Sequence, residues 1–200
     1  MEDDKLIIEK ILSGKKESFN ILVDRYQRLV AHIVFRLIPS LVDREEVCQE
    51  IFIKVYQHLS MFKFNSKLST WIGRIAFNTC MNHLRKEKVP LLEDLFTFPG
   101  DNSENQKKME QSEIMHADGV SPETYSEQEE RQQKIQASIA ALPVPYRLIV
   151  TMFHLDELSY QEIAEITGLP EGTIKSHLFR GRKLLKDKLV AEYRGEEIWT

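Results

Sequence analysis

The residues with the clearest chemical purpose lie near the C-terminus, where Lys175, Ser176, Phe179, Arg180 and Lys183 are spaced to share one side of a helix. At about 100° of rotation per residue they project from the half opposite Ile174, Leu178, Gly181 and Leu185, an apolar inner stripe. Cations, a hydroxyl and an exposed aromatic are groups that contact phosphates and base edges in a DNA major groove. A solvated helix can also present such a face, so the sequence before it matters. Ser159-Tyr-Gln-Glu162 has the spacing of a capping box, in which the serine hydroxyl takes a first-turn amide and the glutamate returns to the cap's own amide. Ile163, Ala164 and Ile166 continue that short helix. Gly168 can adopt the left-handed conformation that ends it, and Pro170 can open the next helix at no cost in hydrogen bonds. A short helix, a glycine turn and a longer basic helix make a helix-turn-helix.

Other chemistry finds little support. Cys80-Met-Asn-His83 has the spacing of half a zinc site, but no second Cys/His pair lies at ligand spacing and a structural site needs four ligands. No metal or other cofactor is expected. Phosphate loops, nucleophile elbows and clustered His/carboxylate motifs are missing from the sequence, so an enzyme of the usual classes is not expected. His154 and His177 flank the helix-turn-helix with no evident partner in sequence. Two isolated cysteines, Cys48 and Cys80, do not make a disulfide framework. No apolar run approaches the roughly 20 residues that span a bilayer, and Met1-Glu-Asp-Asp-Lys5 lacks the basic-then-apolar order of a signal peptide. A cytoplasmic protein without direct membrane insertion is the expectation.

A net charge of −4 over 200 residues is unusual for a DNA binder, but the charge is segregated. Between Lys63 and Lys88, six basic residues face Glu87 alone; between Glu171 and Lys188, six face Glu171 and Asp187. Between Val89 and Glu130 the balance reverses, with eleven acids against Lys107 and Lys108. Two basic patches on an acidic chain point to two separate contacts with a polyanion.

The acidic stretch also holds Pro90, Pro99-Gly100, Gly119 and Pro122 without a sustained apolar period, and residues 89–126 therefore read as a flexible linker. Its length would let the flanking units, residues 1–88 and 127–200, sit far apart. Both units read as helical, giving an all-α fold of two small domains, the second a helix-turn-helix. In the first, Phe19, Leu22, Tyr26, Leu29, Ile33 and Leu37 form one amphipathic stripe between Ser13-Gly14 and Pro39. A second helix, from about Asp43 to Leu59, aligns Val47, Ile51, Val55 and Leu59. A third, from about Lys67 to Glu87, aligns Leu68, Ile72, Ile75 and Thr79.

These residues carry a resemblance. Leu142-Pro-Val-Pro-Tyr-Arg-Leu-Ile-Val and the run from Leu158 to Arg182 closely resemble the fourth conserved region of extracytoplasmic-function sigma factors of bacterial RNA polymerase. Asp43-Arg-Glu-Glu-Val-Cys-Gln-Glu-Ile-Phe-Ile-Lys-Val-Tyr and Leu68-Ser-Thr-Trp-Ile-Gly-Arg-Ile-Ala-Phe-Asn-Thr resemble the second region of the same family. The two matches cover most of the chain except the acidic linker, and they occur in the family's order.

The resemblance implies an alternative sigma factor that binds core RNA polymerase and promoter DNA, with an anti-sigma factor as a further partner. It places polymerase docking on Glu46, Gln49 and Glu50, which lie off the buried stripe of their helix. Lys54, Phe62, the loop Lys63, Phe64, Asn65, Ser66 and Lys67, and Asn78 match the positions that engage the −10 element. Capturing an unstacked base there needs stacking surfaces, amides and cations. Lys175, Ser176, Phe179 and Arg180 match the −35 readers, with Lys183 on the same face. Trp71 lies within the motif but is expected to pack between helices. The loop departs from the common family version, which is richer in small and acidic residues. The different-class alternatives are a regulator binding duplex DNA as a dimer without polymerase, which would have no need of the Asn78 segment, and a hydrolase with a scattered site, to which no motif points.

Overall fold

Apolar residues at steps of three and four give the N-terminal helices of this computed structural model, which describes residues 3–86 and 125–197. Every regular element among the described residues is helical. The first, α1 (Asp4–Leu12), lies before the stripes picked out in sequence and buries Ile7, Ile8 and Ile11. It is tied to α2 (Ser18–Leu37) by Asp4, which accepts from Tyr26 Oη at 2.6 Å and from Arg25 Nη1. Gly14 turns the chain between them at φ 97°, where a side chain would be strained. In α2 the expected Leu22, Leu29, Ile33 and Leu37 are buried, joined by Val30 and Val34.

Ser40 caps α3 (Leu41–His58), its Oγ accepting from Asp43 N at 3.3 Å, and the expected Val47, Ile51 and Val55 face the core. A 3-10 turn, Leu59–Met61, follows. Helix α4 (Leu68–Lys86) buries Leu68, Ile72 and Thr79 as expected, whereas Ile75 is half-buried because the covered face centres on Ala76 and Phe77.

The C-terminal group comprises α5 (Tyr125–Ala140), α6 (Val144–His154), α7 (Tyr160–Thr167) and α8 (Glu171–Glu197). Leu148, Ile149 and Met152 of α6 are fully buried; each such side chain contributes about 1.5–3 kcal/mol by leaving water. Except for Tyr125 and Ser126, which begin α5, the stretch expected to be a linker lies outside the described residues.

The two helical groups meet. Helix α4 packs against α7 and α2 against α6, and the buried side chains form one cluster reaching from Ile7 to Leu178. Polar contacts cross the same boundary. Arg147 Nη2 donates to the Arg36 carbonyl at 2.7 Å, Arg36 Nε donates to Thr151 Oγ1 at 3.2 Å, and His32 Nδ1 meets Asp156 Oδ1 at 2.6 Å. No helix among the described residues is long and apolar enough to cross a membrane.

Candidate nucleic-acid interface

The helix-turn-helix is built from the local signals its sequence carries. Ser159 Oγ accepts from Glu162 N at 3.2 Å, and Glu162 Oε2 accepts from Ser159 N at 2.8 Å and from Ser159 Oγ at 2.7 Å, completing the capping box. Burial alone would raise the Glu162 pKa, but hydrogen bonds from Lys67 and Ser159 outweigh it and hold the carboxyl below its ordinary range. Gly168 ends α7 at φ 75°, ψ 6°. Pro170 stands just before α8, its carbonyl accepting from Ile174 N at 3.1 Å.

Gly181 decides how closely α8 approaches α6. A Cβ there would lie 2.8 Å from Val150 Cγ2 and 3.2 Å from Tyr146 Cβ, so only glycine fits this packing. With Ile174 and Leu178 buried and Leu185 packed beside them, the inner stripe is the one the sequence predicts.

The outer face is narrower than a single helical wheel implies. Lys175, Phe179 and Lys183 are exposed. Ser176 is not: it is 6% exposed, and its hydroxyl turns back to donate to the Thr173 carbonyl at 3.1 Å. Arg180 is only half-exposed. The expectation that Ser176 projects outward fails because α8 is contacted by α5, α6 and α7 and is thus covered on more than one side. The exposed basic side is an arc of roughly 100° holding Lys175, Phe179, Arg182, Lys183 and Lys186, with Leu184 and Asp187 exposed outside it.

Arg182 was missed in sequence, although it stands seven residues, about two turns, beyond Lys175. Its Nε donates to His154 Nε2 at 3.0 Å, and its guanidinium lies over the Phe153 ring at 5.1 Å. Burial, then the Arg182 charge, lowers the His154 pKa, which keeps the imidazole neutral and able to accept. Lys175 Nζ sits 5.7 Å over the Tyr160 ring, fixing one side of the same face.

The second basic surface is the turn before α4. Phe64 takes φ 57° and is 50% exposed, and Lys63, Asn65 and Lys67 are exposed with it. Phe62 is 8% exposed, its ring centroid 4.8 Å from Phe64 and 5.3 Å from Trp71. An outward stacking surface at Phe62 is therefore corrected to a packed support beneath Phe64, with the half-buried Trp71 against the core on its other side. Asn78 is exposed on α4, while Ser66 is half-buried. Lys54 is engaged within the fold, its Nζ 2.7 Å from Glu50 Oε1 and donating to Thr79 Oγ1 at 3.2 Å.

On α3, Glu46 and Gln49 are exposed and Glu50 is half-exposed. Beside Gln49 opens a groove of about 700 Å³ between α2 and α3, lined by Phe19, Val23, Cys48, Phe52 and Tyr56 among others. Among the described residues no group of three or more His, Cys, Asp or Glu side chains could hold a metal ion.

Comparison with known proteins returns the same two blocks. Residues 22–89 match the family described as Sigma-70 region 2, and residues 132–185 match Sigma-70, region 4. The chain is 37% identical over 187 residues to the ECF RNA polymerase sigma-E factor of Escherichia coli (strain K12), covering 93% of this chain and 94% of that one. It is 33% identical over 182 residues to the ECF RNA polymerase sigma factor SigW of Bacillus subtilis (strain 168), covering 91% and 94%. In fold it resembles CnrH in complex with the cytosolic domain of CnrY, with a TM-score of 0.60 at 17% identity over 95% of this chain and 99% of that one. It also resembles the Bartonella quintana sigma factor RpoE in complex with the anti-sigma factor NepR, with a TM-score of 0.58 at 19% identity over 86% and 97%. The region 2 match contains the turn before α4 and the α3 surface, the region 4 match contains the capped helix-turn-helix, and these relatives align over more than nine-tenths of the chain: the chain belongs to the extracytoplasmic-function group of sigma-70 factors.

Proposed function

We propose that this sigma factor docks on core RNA polymerase through α3, opens promoter DNA at the −10 element with the loop before α4, and reads the −35 element with α8. One observation carries the division of labour. Basic, exposed surfaces lie on two separate helical groups, and the second is the outer arc of a capped helix-turn-helix. Gln49 edges the apolar groove between α2 and α3, with Glu46 and Glu50 on the same helix, which gives a partner helix both an anchor and polar groups to align on. At the −10 element, Phe64 supplies an exposed ring, Asn65 and Asn78 supply amides, and Lys63 and Lys67 supply cations, with Phe62 and Ser66 supporting the loop. Lys54 steadies α3 against α4. At the −35 element Lys175, Phe179, Arg180 and Lys183 face the groove, and Ser176 lies at the floor of that face.

In this reading residues 1–88 and 127–200 are the two working domains and residues 89–126 the linker. The protein itself performs no catalysis and works in the cytoplasm beside polymerase. An anti-sigma factor is a further partner proposed from family membership. The test is to mix the purified chain with core polymerase and measure promoter-specific initiation. Co-elution with core and initiation from matched promoters are expected; no binding to core at low salt would refute the function.

A further inference from the structure

Side chains from three helices form a chain of ring and cation contacts beside the outer arc of α8. The Phe153 ring, near the end of α6, stacks on the Tyr160 ring, at the start of α7, with centroids 5.1 Å apart and planes 18° from parallel. Each ring also carries a cation from α8: Arg182 stands over Phe153 at 5.1 Å and Lys175 over Tyr160 at 5.7 Å. Both rings are half-buried and both cations exposed. Arg182 is fixed a second way, because its Nε donates to His154 Nε2 at 3.0 Å. His154 in turn meets Phe153 edge to face, with centroids 5.1 Å apart. Burial and the Arg182 charge keep the imidazole neutral, so Nε2 has a lone pair with which to accept.

These contacts add little to the seating of α8, which the buried Leu178 and the close approach at Gly181 already fix. What they change is the freedom of the guanidinium. With Nε engaged by His154, the Nη1 and Nη2 amino groups are left for an outside acceptor, in a plane set before that acceptor arrives. A planar fork of this kind matches two oxygens of a phosphate, and ordering it in advance lowers the entropy lost on binding. Its place also favours the DNA backbone over base edges. In a helix-turn-helix the second helix enters the major groove while the first crosses the backbone. Arg182 is drawn sideways from α8, toward the end of α6 and the start of α7, rather than outward to the groove floor. Lys175 lies seven residues earlier, about 10 Å along α8, so the two cations serve different phosphates.

We propose that Arg182 is a phosphate contact at the edge of the −35 site and that His154 is its positioning residue. This inference rests on the proposed −35 role of α8.

Holoenzyme formed from core polymerase and saturating full-length sigma factor, bound to promoter DNA across a salt series, tests it. Arg182→Ala should weaken binding severalfold, by the same factor on matched and scrambled −35 sequences, and should flatten the dependence of log affinity on log salt by about one unit. His154→Ala should give part of that loss when Arg182 is present and none in an Arg182→Ala background, a coupling that a double-mutant cycle reads. His154→Gln should restore the parent's affinity, because a glutamine Oε1 can accept the same N–H. An unchanged salt slope for Arg182→Ala would overturn the phosphate contact, and so would a loss confined to the matched sequence, which would make Arg182 a base reader. Additive losses from the two alanine variants, or a His154→Gln variant as weak as His154→Ala, would remove the positioning role. A parent holoenzyme that does not bind the matched promoter refutes the proposed function and this inference with it, and that failure shows before any variant is compared.

Discussion

Gly181→Ala sets two known effects against each other at the closest approach of α8 to α6. Alanine in place of glycine inside a helix stabilises it by about 1 kcal/mol. The new methyl, however, would lie 2.8 Å from Val150 Cγ2 and 3.2 Å from Tyr146 Cβ, where neither neighbour can swing aside. Valine is stiff at χ1, and the tyrosine atom is bonded directly to the backbone. Val150 is 1% and Tyr146 6% exposed, so there is no open space to move into. Overpacking of this kind costs about 1–3 kcal/mol, and the net expectation is a loss of about 1 kcal/mol. Urea denaturation followed by circular dichroism measures it, and binding of a −35 duplex should weaken in parallel as α8 tilts. In a Val150→Ala background the obstructing methyl is gone, and Gly181→Ala should turn neutral or stabilising, a coupling a double-mutant cycle detects. A stabilisation of about 1 kcal/mol by Gly181→Ala in the otherwise unchanged protein would refute the close packing of α8 on α6.

Asn78→Ala should leave closed-complex binding intact and reduce strand opening, read by permanganate reactivity of unpaired thymines and rescued by a premelted bubble. Phe62→Ala should instead cost about 3–5 kcal/mol of stability as a core truncation, so a melting curve equal to the parent's would contradict its burial. Lys175→Ala should weaken matched and scrambled −35 duplexes alike and lower the salt slope by about one unit, while Arg180→Ala should cost about 1–3 kcal/mol more on matched than on scrambled DNA; a uniform loss for Arg180→Ala would remove its base-reading role. Because the folded Glu162 carboxyl is held below its ordinary pKa, its stabilising contribution is present above the unfolded carboxylate pKa and is lost as pH falls through the folded one. The difference in melting temperature between parent and Glu162→Gln should therefore shrink on acidification, and a constant difference from pH 7 to pH 3 would contradict it.

Signals confined to a few neighbouring residues were legible without coordinates. The capping box at Ser159 and Glu162, the left-handed Gly168, and the stripes through Leu22, Ile33, Val47 and Ile51 all appear where the sequence places them. Each depends on hydrogen bonds or side-chain directions within one or two turns of a helix. The short apolar run Ile7, Ile8 and Ile11 carried the same kind of signal for α1 in too few residues to stand out from its charged surroundings. Which surfaces stay open was decided only by tertiary packing. Ser176 lies opposite the inner stripe on a wheel, yet α8 is covered by three helices and the hydroxyl is buried. Phe62 and Phe64 are alike in sequence, but Phe62 packs against Trp71 while a positive φ turns Phe64 outward. Arg182 gains its place from His154 and Phe153 at the end of α6. The contact of Gly73 with Ile166 joins residues 93 positions apart, and no local rule encodes it. Helix formation is governed by neighbours along the chain, whereas exposure is governed by neighbours in space, and a single sequence specifies the first directly and the second only through the fold.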